Sequence, residues 1–527
     1  MLAAKIIRSL KQSPRIEGNR GPIRNGDFSM RSFYRQQLGQ HYWDNLYNAP
    51  ESLAYIFCDA LPVEERTSTV IISVLLAQLC RQSSELLDAV TMRMEKSIHA
   101  PASYEDLVAV FVEDTTKILA RYFLIVDGLD RTAGCAKFLL NLTATRHNSP
   151  KILILSRPVP MIIEELNLYP TFEITAAQVS EDIKLVLPSY LRNVISAFKV
   201  ADRPGITPNI EEIFLRGNNG SFLWCKVLAK HLEYQVSPLN TLMTLSCIPT
   251  NIFDLYAQIF SCLKSEPDTS RIDIAVRSLK WLAVAQRPLD ISELKIALSI
   301  EEDQTNFQQE QPQFPLEDLI LSLCGPLVDI YRDTVHGSIM SVFCTSITLI
   351  HPTLEDFLFS SSETAIALGL PLSRPLLHVD AARVCLNYLS LPELANTRPK
   401  HQFQRGSTSG FRPPVDGFMS YAAVYVFEHT VYSGKTGAED LCLLKDLLRF
   451  ITTPLQAQSW TKFIAANNSL ARPISNKEIS EGIYNSDMWH PGMGKRIRDW
   501  LEMLNSEEGA FIKKLFTSWL NTLFNEI

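Results

Sequence analysis

Short apolar runs alternate with amphipathic stretches over the first third of the chain, and amphipathic stretches fill most of the rest. LAYIFC (53–58), YFLIVD (122–127), KILILS (151–156) and FEIT (172–175) are apolar runs of strand length. Each reads as a strand, the first as a buried one. Between them, Thr67–Leu79 carries Val70, Ile71, Val74, Leu75 and Leu79 at helical spacing, and Tyr104–Ala120 and Ala136–Thr145 also read as helices. Strands separated by single helices predict βαβ units, a parallel sheet with helices on both faces.

Past about residue 178 the strand pattern thins out. Helices are expected over Glu181–Lys199, Glu211–Arg216, Phe222–Tyr234, Ile252–Lys264 and Ile272–Ala285. A turn at Arg287-Pro288 precedes a helix opened by Asp290. Glu293, three residues on, supplies the second half of a capping box. Two extended runs follow, Leu327–Tyr331 and Ser341–Ile350, and helix, helix, hairpin is a winged-helix order. From about residue 376 the chain reads as helical, with a polar loop at Pro399–Pro414. Leu2–Leu10 reads as a short amphipathic helix, and Ser13–Ser29, rich in Arg, Gly, Pro and Asn, as a loop or disordered insert.

Composition narrows the class. With 527 residues the chain has room for roughly three or four domains, and 46% hydrophobic residues with a net charge of -7 describe a globular protein. No strongly basic face or tail points to nucleic acid. GKRIRD (494–499) reads as a solvated helix face. The ten cysteines are scattered without a CxxC, which reads as reduced thiols in a cytoplasmic protein. Lys5 interrupts the only apolar stretch of the N-terminus, a poor signal peptide, and no run of eighteen apolar residues suggests a membrane span.

The stretch richest in chemistry is RYFLIVDGLDRT (121–132). Ligands of open α/β sheets sit at the carboxyl ends of the strands, so Asp127 is expected at such an edge. In P-loop NTPases a carboxylate there holds the hydrated Mg²⁺ that neutralises phosphate charge. Asp130 is a candidate for polarising an attacking water. The plainer reading is that Asp127 ends a strand and begins a turn with Gly128. KILILSRP (151–158) is the expected neighbouring strand and brings Arg157 to the same edge, where a guanidinium senses a γ-phosphate or pairs with the acids.

These stretches resemble the NACHT branch of the STAND NTPases, in the form found in fungal heterokaryon-incompatibility and NOD-like receptors. That family shows a run like YFFCDA followed by an Arg-Thr helix, and here AYIFCDALPVEERTSTVIISVLLAQL (54–79) stands. Its Walker B resembles LIIDALDEC, here LIVDGLDRT, and its sensor strand KILITSRP, here KILILSRP. Further on, GSFLWCKVL (220–228), IPTNIFDLYAQIF (248–260), LKWLAVAQRPLDISEL (279–294) and LIHPTLEDFL (349–358) follow in the family's order. The resemblance covers about residues 53–360 and is weaker over 376–431, where AARVCLNYL (381–389) and YAAVYVFEH (421–429) look like a helical extension. It implies a fold of class α/β: an incomplete P-loop NTPase parallel sheet followed by a helical domain, a winged helix and a C-terminal helical domain. The expected boundaries are 1–52 for a remnant of the P-loop helix plus an insert, 53–177 for the α/β part, 178–268 for the helical domain, 269–362 for the winged helix and 375–527 for the C-terminal helices. It also implies ATP/ADP with Mg²⁺ as cofactor, Asp127 as metal carboxylate, Asp130 as catalytic acid, and Arg157, His351 and Pro249 as nucleotide-binding. His351 would reach the β-phosphate of ADP and Pro249 would line the adenine. The plainer reading of His351 is a strand-end histidine satisfied by its own backbone.

The chain departs from the family in two places. A Walker A loop needs Gly, four residues, then Gly-Lys-Ser/Thr. Gly434-Lys435-Thr436 has His429 in the first glycine's place, and Gly494-Lys495 has Trp489 there and Arg496 after the lysine. The family's segment after Gly-Lys-Ser resembles LAAKIIRSL, here Leu2–Leu10, so the chain reads as starting inside the phosphate-binding helix, with an insert or unspliced segment over Ser13–Glu51. Arg131 stands where the family commonly has Glu, and arginine accepts no proton. The expectation is therefore a nucleotide-dependent switch degenerate for hydrolysis. The alternatives are a non-catalytic scaffold or decoy, or a truncated gene model of a full-length receptor. Expected partners are other NACHT-type chains or further copies of itself, with no nucleic acid and no membrane.

Overall fold

The structure is a computed structural model. It describes residues 52–61, 66–95, 104–119, 122–132, 134, 151–167, 169–200, 207–234, 245, 247–300, 316–334, 343–360, 372–392, 394, 417–453, 457, 460 and 493–526. These fall into two compact units that divide between Phe172 and Glu173. The expected helices at Leu2–Leu10 and Ala136–Thr145, and the loops at Ser13–Ser29 and Pro399–Pro414, lie outside the described residues.

The first unit is built on a three-stranded parallel sheet of β1 (Ser52–Phe57), β2 (Tyr122–Asp127) and β3 (Lys151–Leu155), in that order. The register runs from Ser52 opposite Tyr122 to Phe57 opposite Asp127, and Asp127 lies opposite Leu155. Strand alternation puts Ala54, Ile56, Leu124 and Val126 on a buried face. That face belongs to one core with Ile71, Leu75 and Leu79 of α1 (Ser68–Cys80) and with Leu107, Val110 and Phe111. Thr67 caps α1, its side chain accepting from Val70 N. Helix α1 also closes the sheet edge. Gln78 Nε2 and Oε1 pair with O and N of Tyr55, and Gln82 does the same with Leu53, at 2.7–3.0 Å. Four helix residues rise about 6 Å and two strand residues about 6.6 Å, so glutamines four apart meet alternate strand residues. The two amides thus replace a neighbouring strand and blunt the β1 edge.

Helix α2 (Ser84–Glu95) follows, then α3 (Tyr104–Ala109), which passes into a π-helical stretch at Val110–Asp114 before a last turn at Thr115–Ile118. The single expected helix Tyr104–Ala120 is therefore interrupted, while Leu107, Val110 and Phe111 stay buried. After β3 comes α4 (Pro160–Leu166).

The expected strand at FEIT (172–175) is corrected by the structure, which shows no strand there. Phe172 is 68% exposed and Ile174 44%. The run is instead the approach to α5 (Ala176–Val200): Gln178 Oε1 accepts from Thr175 N at 2.8 Å, one half of a capping box.

The second unit begins with α5, α6 (Thr207–Gly217), α7 (Phe222–Glu233) and α8 (Ile252–Lys264). Trp224 is wholly enclosed among them, edge-on to Phe214, and its indole Nε1 donates to Pro249 O at 2.8 Å. Next come α9 (Thr269–Val284), β4 (Leu289–Asp290), α10 (Ile291–Ser299) and α11 (Leu316–Cys324). The hairpin of β5 (Val328–Thr334) and β6 (Phe343–Leu349) and then α12 (Pro352–Leu358) follow. The three short strands form an antiparallel sheet in the order β4-β6-β5. Asp290 caps α10, and Glu293 reaches back to Asp290 N, so the capping box forms as the sequence predicts. Lys226 and Lys230 of α7 both bind the Asp329 carboxylate of β5, at 2.5 and 2.7 Å.

The remaining described helices are α13 (Arg374–Leu389), α14 (Met419–Tyr432), α15 (Gly434–Ala438), α16 (Leu441–Thr452), α17 (Met493–Leu501) and α18 (Glu507–Glu526). One continuous core runs from Val179 to Phe516. The Gly434-Lys435 pair lies in α15, where Lys435 forms an exposed ion pair with Glu439. In α17 the Arg496 guanidinium sits over the Tyr432 ring at 4.8 Å, so the GKRIRD face is not wholly solvated. Among the described residues no helix is long and apolar enough to cross a membrane.

Candidate functional site

The carboxyl ends of the three parallel strands gather three acids and two arginines. Strand β2 ends on Asp127, and Gly128 follows at φ +75° with its N–H donating to Leu155 O at 2.9 Å. A side chain at that left-handed position would strain the backbone, which explains glycine after Asp127. A tight turn at Leu129–Arg131 brings Asp130 back toward β3.

There Asp130 Oδ1 accepts from Arg157 N at 3.1 Å and from Ser156 Oγ at 3.3 Å, and Oδ2 accepts from Arg157 Nε at 2.5 Å. The Asp130 side chain is 3% exposed and that of Arg157 59%. Burial alone would raise the Asp130 carboxyl, but the Arg157 backbone and side-chain hydrogen bonds and its charge outweigh it and hold the group below the usual carboxylate range. The stability from this contact is present above the unfolded value near 3.8 and is lost as pH falls through the lower folded value. Asp130→Ala should cost about 1 kcal/mol, discounted for the exposed arginine. Urea denaturation at neutral pH checks it, and an unchanged midpoint would mean the pair adds nothing to stability.

Asp127 has the opposite environment. Burial pushes its carboxyl up, the Asp59 carboxylate beside it adds to the rise, and the Gly128 N–H offsets only part. Asp59 follows β1, whose end lies level with that of β2 through the Phe57–Asp127 register. Asp59 Oδ1 is buried without a hydrogen bond and meets the Arg131 guanidinium at 3.3 Å. Buried Arg66 donates to the Asp59 and Leu61 carbonyls at 3.3 and 3.0 Å, which fixes the loop carrying Asp59. Two adjacent carboxylates, one lifted and one ion-paired with Arg131 but without a hydrogen bond to its Oδ1, offer the hard oxygen donors that suit a hydrated divalent cation. Among the described residues no group of three or more His, Cys, Asp or Glu side chains forms a ready-made ligand set.

The sequence-predicted residues divide between the units. Asp127, Asp130 and Arg157 come together in the first, joined by Asp59, which the motif reading left unassigned. In the second unit, His351 caps α12: its Nδ1 accepts from Thr353 N at 3.1 Å and lies 3.0 Å from Thr353 Oγ1, itself 3.0 Å from Tyr256 Oη. That places the proton of the neutral ring on Nε2. This contact is the backbone-satisfied role the plainer sequence reading allows. Pro249 is half-buried, and its carbonyl receives the Trp224 indole N–H.

Residues 37–157 match the family described as Nephrocystin 3, N-terminal, a span that takes in all three parallel strands and the Asp59, Asp127, Asp130 and Arg157 edge. No curated protein matches the chain. Among solved structures, the Aeropyrum pernix ORC1 protein in complex with DNA aligns with 70% of this chain and 92% of its own. Its identity is 12% and its TM-score 0.25, too low to establish a common fold.

Proposed function

We propose that this chain is the core of a NACHT-type nucleotide switch of the STAND class, acting in the cytoplasm and assembling with related chains or with further copies of itself. The observation that carries the reading is Asp127, a half-buried carboxylate raised by burial and Asp59, at the carboxyl end of the middle strand of a parallel sheet. Bound Mg²⁺ would supply charge neutralisation for the β- and γ-phosphates. Asp127, with Asp59 beside it, is the group that would hold its water shell. Asp130 fixes Arg157 at the same edge. The acid–arginine pair reads better as a sensor than as a source of proton transfer, because Asp130 is ionised and fully engaged. Arg131 bonds Asp59 and accepts no proton, which supports binding without efficient hydrolysis.

In this reading residues 178–268 form the helical domain, 269–362 the winged helix and 375–527 the C-terminal helices. His351, which caps α12 through Nδ1, is the residue that would reach the β-phosphate of ADP. Nucleotide would act by binding two arrangements unequally. The match to Nephrocystin 3, N-terminal supports the α/β part alone, and the switch rests on the motif resemblance.

A second reading, a scaffold that no longer binds nucleotide, is favoured by one observation. Arg157 and Arg131 are both engaged by acids of the chain itself, Asp130 and Asp59. Calorimetry of the purified chain with ADP and ATP, with Mg²⁺ and with chelator, tests the two. Saturable, Mg²⁺-dependent binding at roughly micromolar Kd, weakened for ADP by His351→Ala, is expected. No heat at roughly millimolar nucleotide would leave the scaffold.

A further inference from the structure

The second unit contains a buried chain of hydrogen bonds that the nucleotide reading does not use. His378 of α13 and His429 of α14 face each other, Nδ1 to Nδ1, at 2.8 Å. His429 Nε2 lies 2.9 Å from Tyr421 Oη, and that oxygen accepts from Gln286 N at 3.1 Å. His378, His429 and Tyr421 are all fully enclosed.

The order of protons along this chain follows from counting. Two ring nitrogens at hydrogen-bond distance share one proton, so one donates and the other accepts. The Tyr421 hydroxyl has no other hydrogen-bond partner among the described residues, so its proton goes to His429 Nε2. His429 Nδ1–H then donates to His378 Nδ1, and both rings are neutral. A proton added to either ring forces His429 Nε2–H toward Tyr421 Oη. The hydroxyl would then accept twice and point its own hydrogen at no acceptor among the described residues.

The far end of the chain is fastened to another element. Arg287, next to Gln286, stacks on the Tyr421 ring at 5.2 Å and holds Glu293 through two bonds of 2.7 and 2.8 Å. Glu293 is the capping-box residue of α10, and it also receives Ser420 Oγ of α14 at 3.0 Å. We propose that the His378–His429 pair is an acid-sensitive latch that fastens α14 to the start of α10, closed when both rings are neutral and loosened by a proton.

The groups around the pair fit a neutral closed state. From α9 comes the Trp281 edge at 6.3 Å from His429, and from α14 the Tyr432 ring at 5.3 Å from His378. Cys385 of α13 and Tyr425 of α14 lie beside Tyr421. Charged groups on the surrounding elements include Lys280 of α9, Arg287 and Glu293, bonded to each other, Arg383 of α13 and Arg449 of α16, both bonded to Asp446, Asp380 of α13, Glu428 of α14, Lys435 of α15 paired with Glu439, and Arg496 of α17 over Tyr432. Burial, then the neighbouring His378, hold His429 well below its ordinary value of 6.5. A group so depressed binds its proton more readily in the unfolded or opened chain. The latch is fully closed above that ordinary value and weakens as pH falls below it.

Hydrogen exchange of the full chain at about pH 7.5 and about pH 5.5, corrected for intrinsic rates, tests this. Protection of segments 284–299 and 419–432 is expected to fall about tenfold, one decade for one histidine over a pH unit below its ordinary value. Segment 122–127 in the first unit should hold steady. His231 of α7, buried and depressed to about 4, also loses stability as pH falls below its ordinary value, so the comparison includes His231→Gln. A fall that persists in His231→Gln and disappears in a folded His429→Gln supports the latch. Should His429→Gln not fold, persistence in His231→Gln decides in its favour. An unchanged wild-type protection, a fall abolished by His231→Gln, or a fall retained in His429→Gln overturns it.

Discussion

Asp127→Asn is expected to weaken Mg²⁺–nucleotide binding by about 10–100-fold while raising the melting temperature of the chain. The two effects have one cause. The folded chain disfavours the Asp127 carboxylate through burial and through Asp59, so the group holds its proton to higher pH folded than unfolded. Its contribution is most favourable at low pH and is lost as pH rises through the raised folded value. The full cost is therefore present at neutral pH. Asparagine keeps the shape and removes the charge. A residue that destabilises its own fold and sits at a strand's carboxyl end is the pattern expected of a functional group. Calorimetry and a thermal melt on the same preparation decide the matter. A lower melting temperature with unchanged affinity would mean that Asp127 only ends a strand and begins the Gly128 turn.

The three parallel strands were legible because YFLIVD, LAYIFC and KILIL are short apolar runs with helices between them. FEIT has a similar local pattern and fails because a strand needs a neighbour, which periodicity cannot supply. The Thr175–Gln178 spacing carried the competing signal of a helix start. Asp127, Asp130 and Arg157 were legible as an edge, since the ends of adjacent parallel strands must meet. Asp59 stood in plain view in FCDA, but its effect on Asp127 depends on the Phe57–Asp127 register, which no motif states. Sequence marks Arg131 only as a residue that accepts no proton, and the structure adds its ion pair with Asp59. Gln78 and Gln82 belong to no motif, and their amides gain a role only because β1 lies beside them. The His378–His429 contact joins residues far apart in the chain and left no sequence trace. The pattern of Asp290 and Glu293, by contrast, is local, and the capping box formed as read.

Trp224→Ala is expected to destabilise the second unit by about 3–5 kcal/mol, the largest single-residue loss of fold stability predicted here. The indole is 1% exposed and packs edge-on against Phe214 at 5.8 Å between centroids. Its surroundings are shaped to it. A Cβ on Gly217 would come within 2.9 Å of the ring. The close approach of the Gly217 backbone leaves little room to collapse into the gap, so most of the cavity should persist. Trp224→Phe separates packing from hydrogen bonding. It keeps much of the ring but leaves Pro249 O without the indole N–H, at about 1–3 kcal/mol. Urea denaturation monitored by circular dichroism gives both losses, provided the transition of the second unit is resolved from that of the first. An alanine variant within about 1 kcal/mol of wild type would mean that the pocket does collapse. If Pro249 lines the adenine, Trp224→Phe must also shift ADP affinity, because the indole bond is what holds that carbonyl in place. A phenylalanine variant that loses stability yet binds ADP like wild type would remove Pro249 from the nucleotide site and leave it as an acceptor for the core.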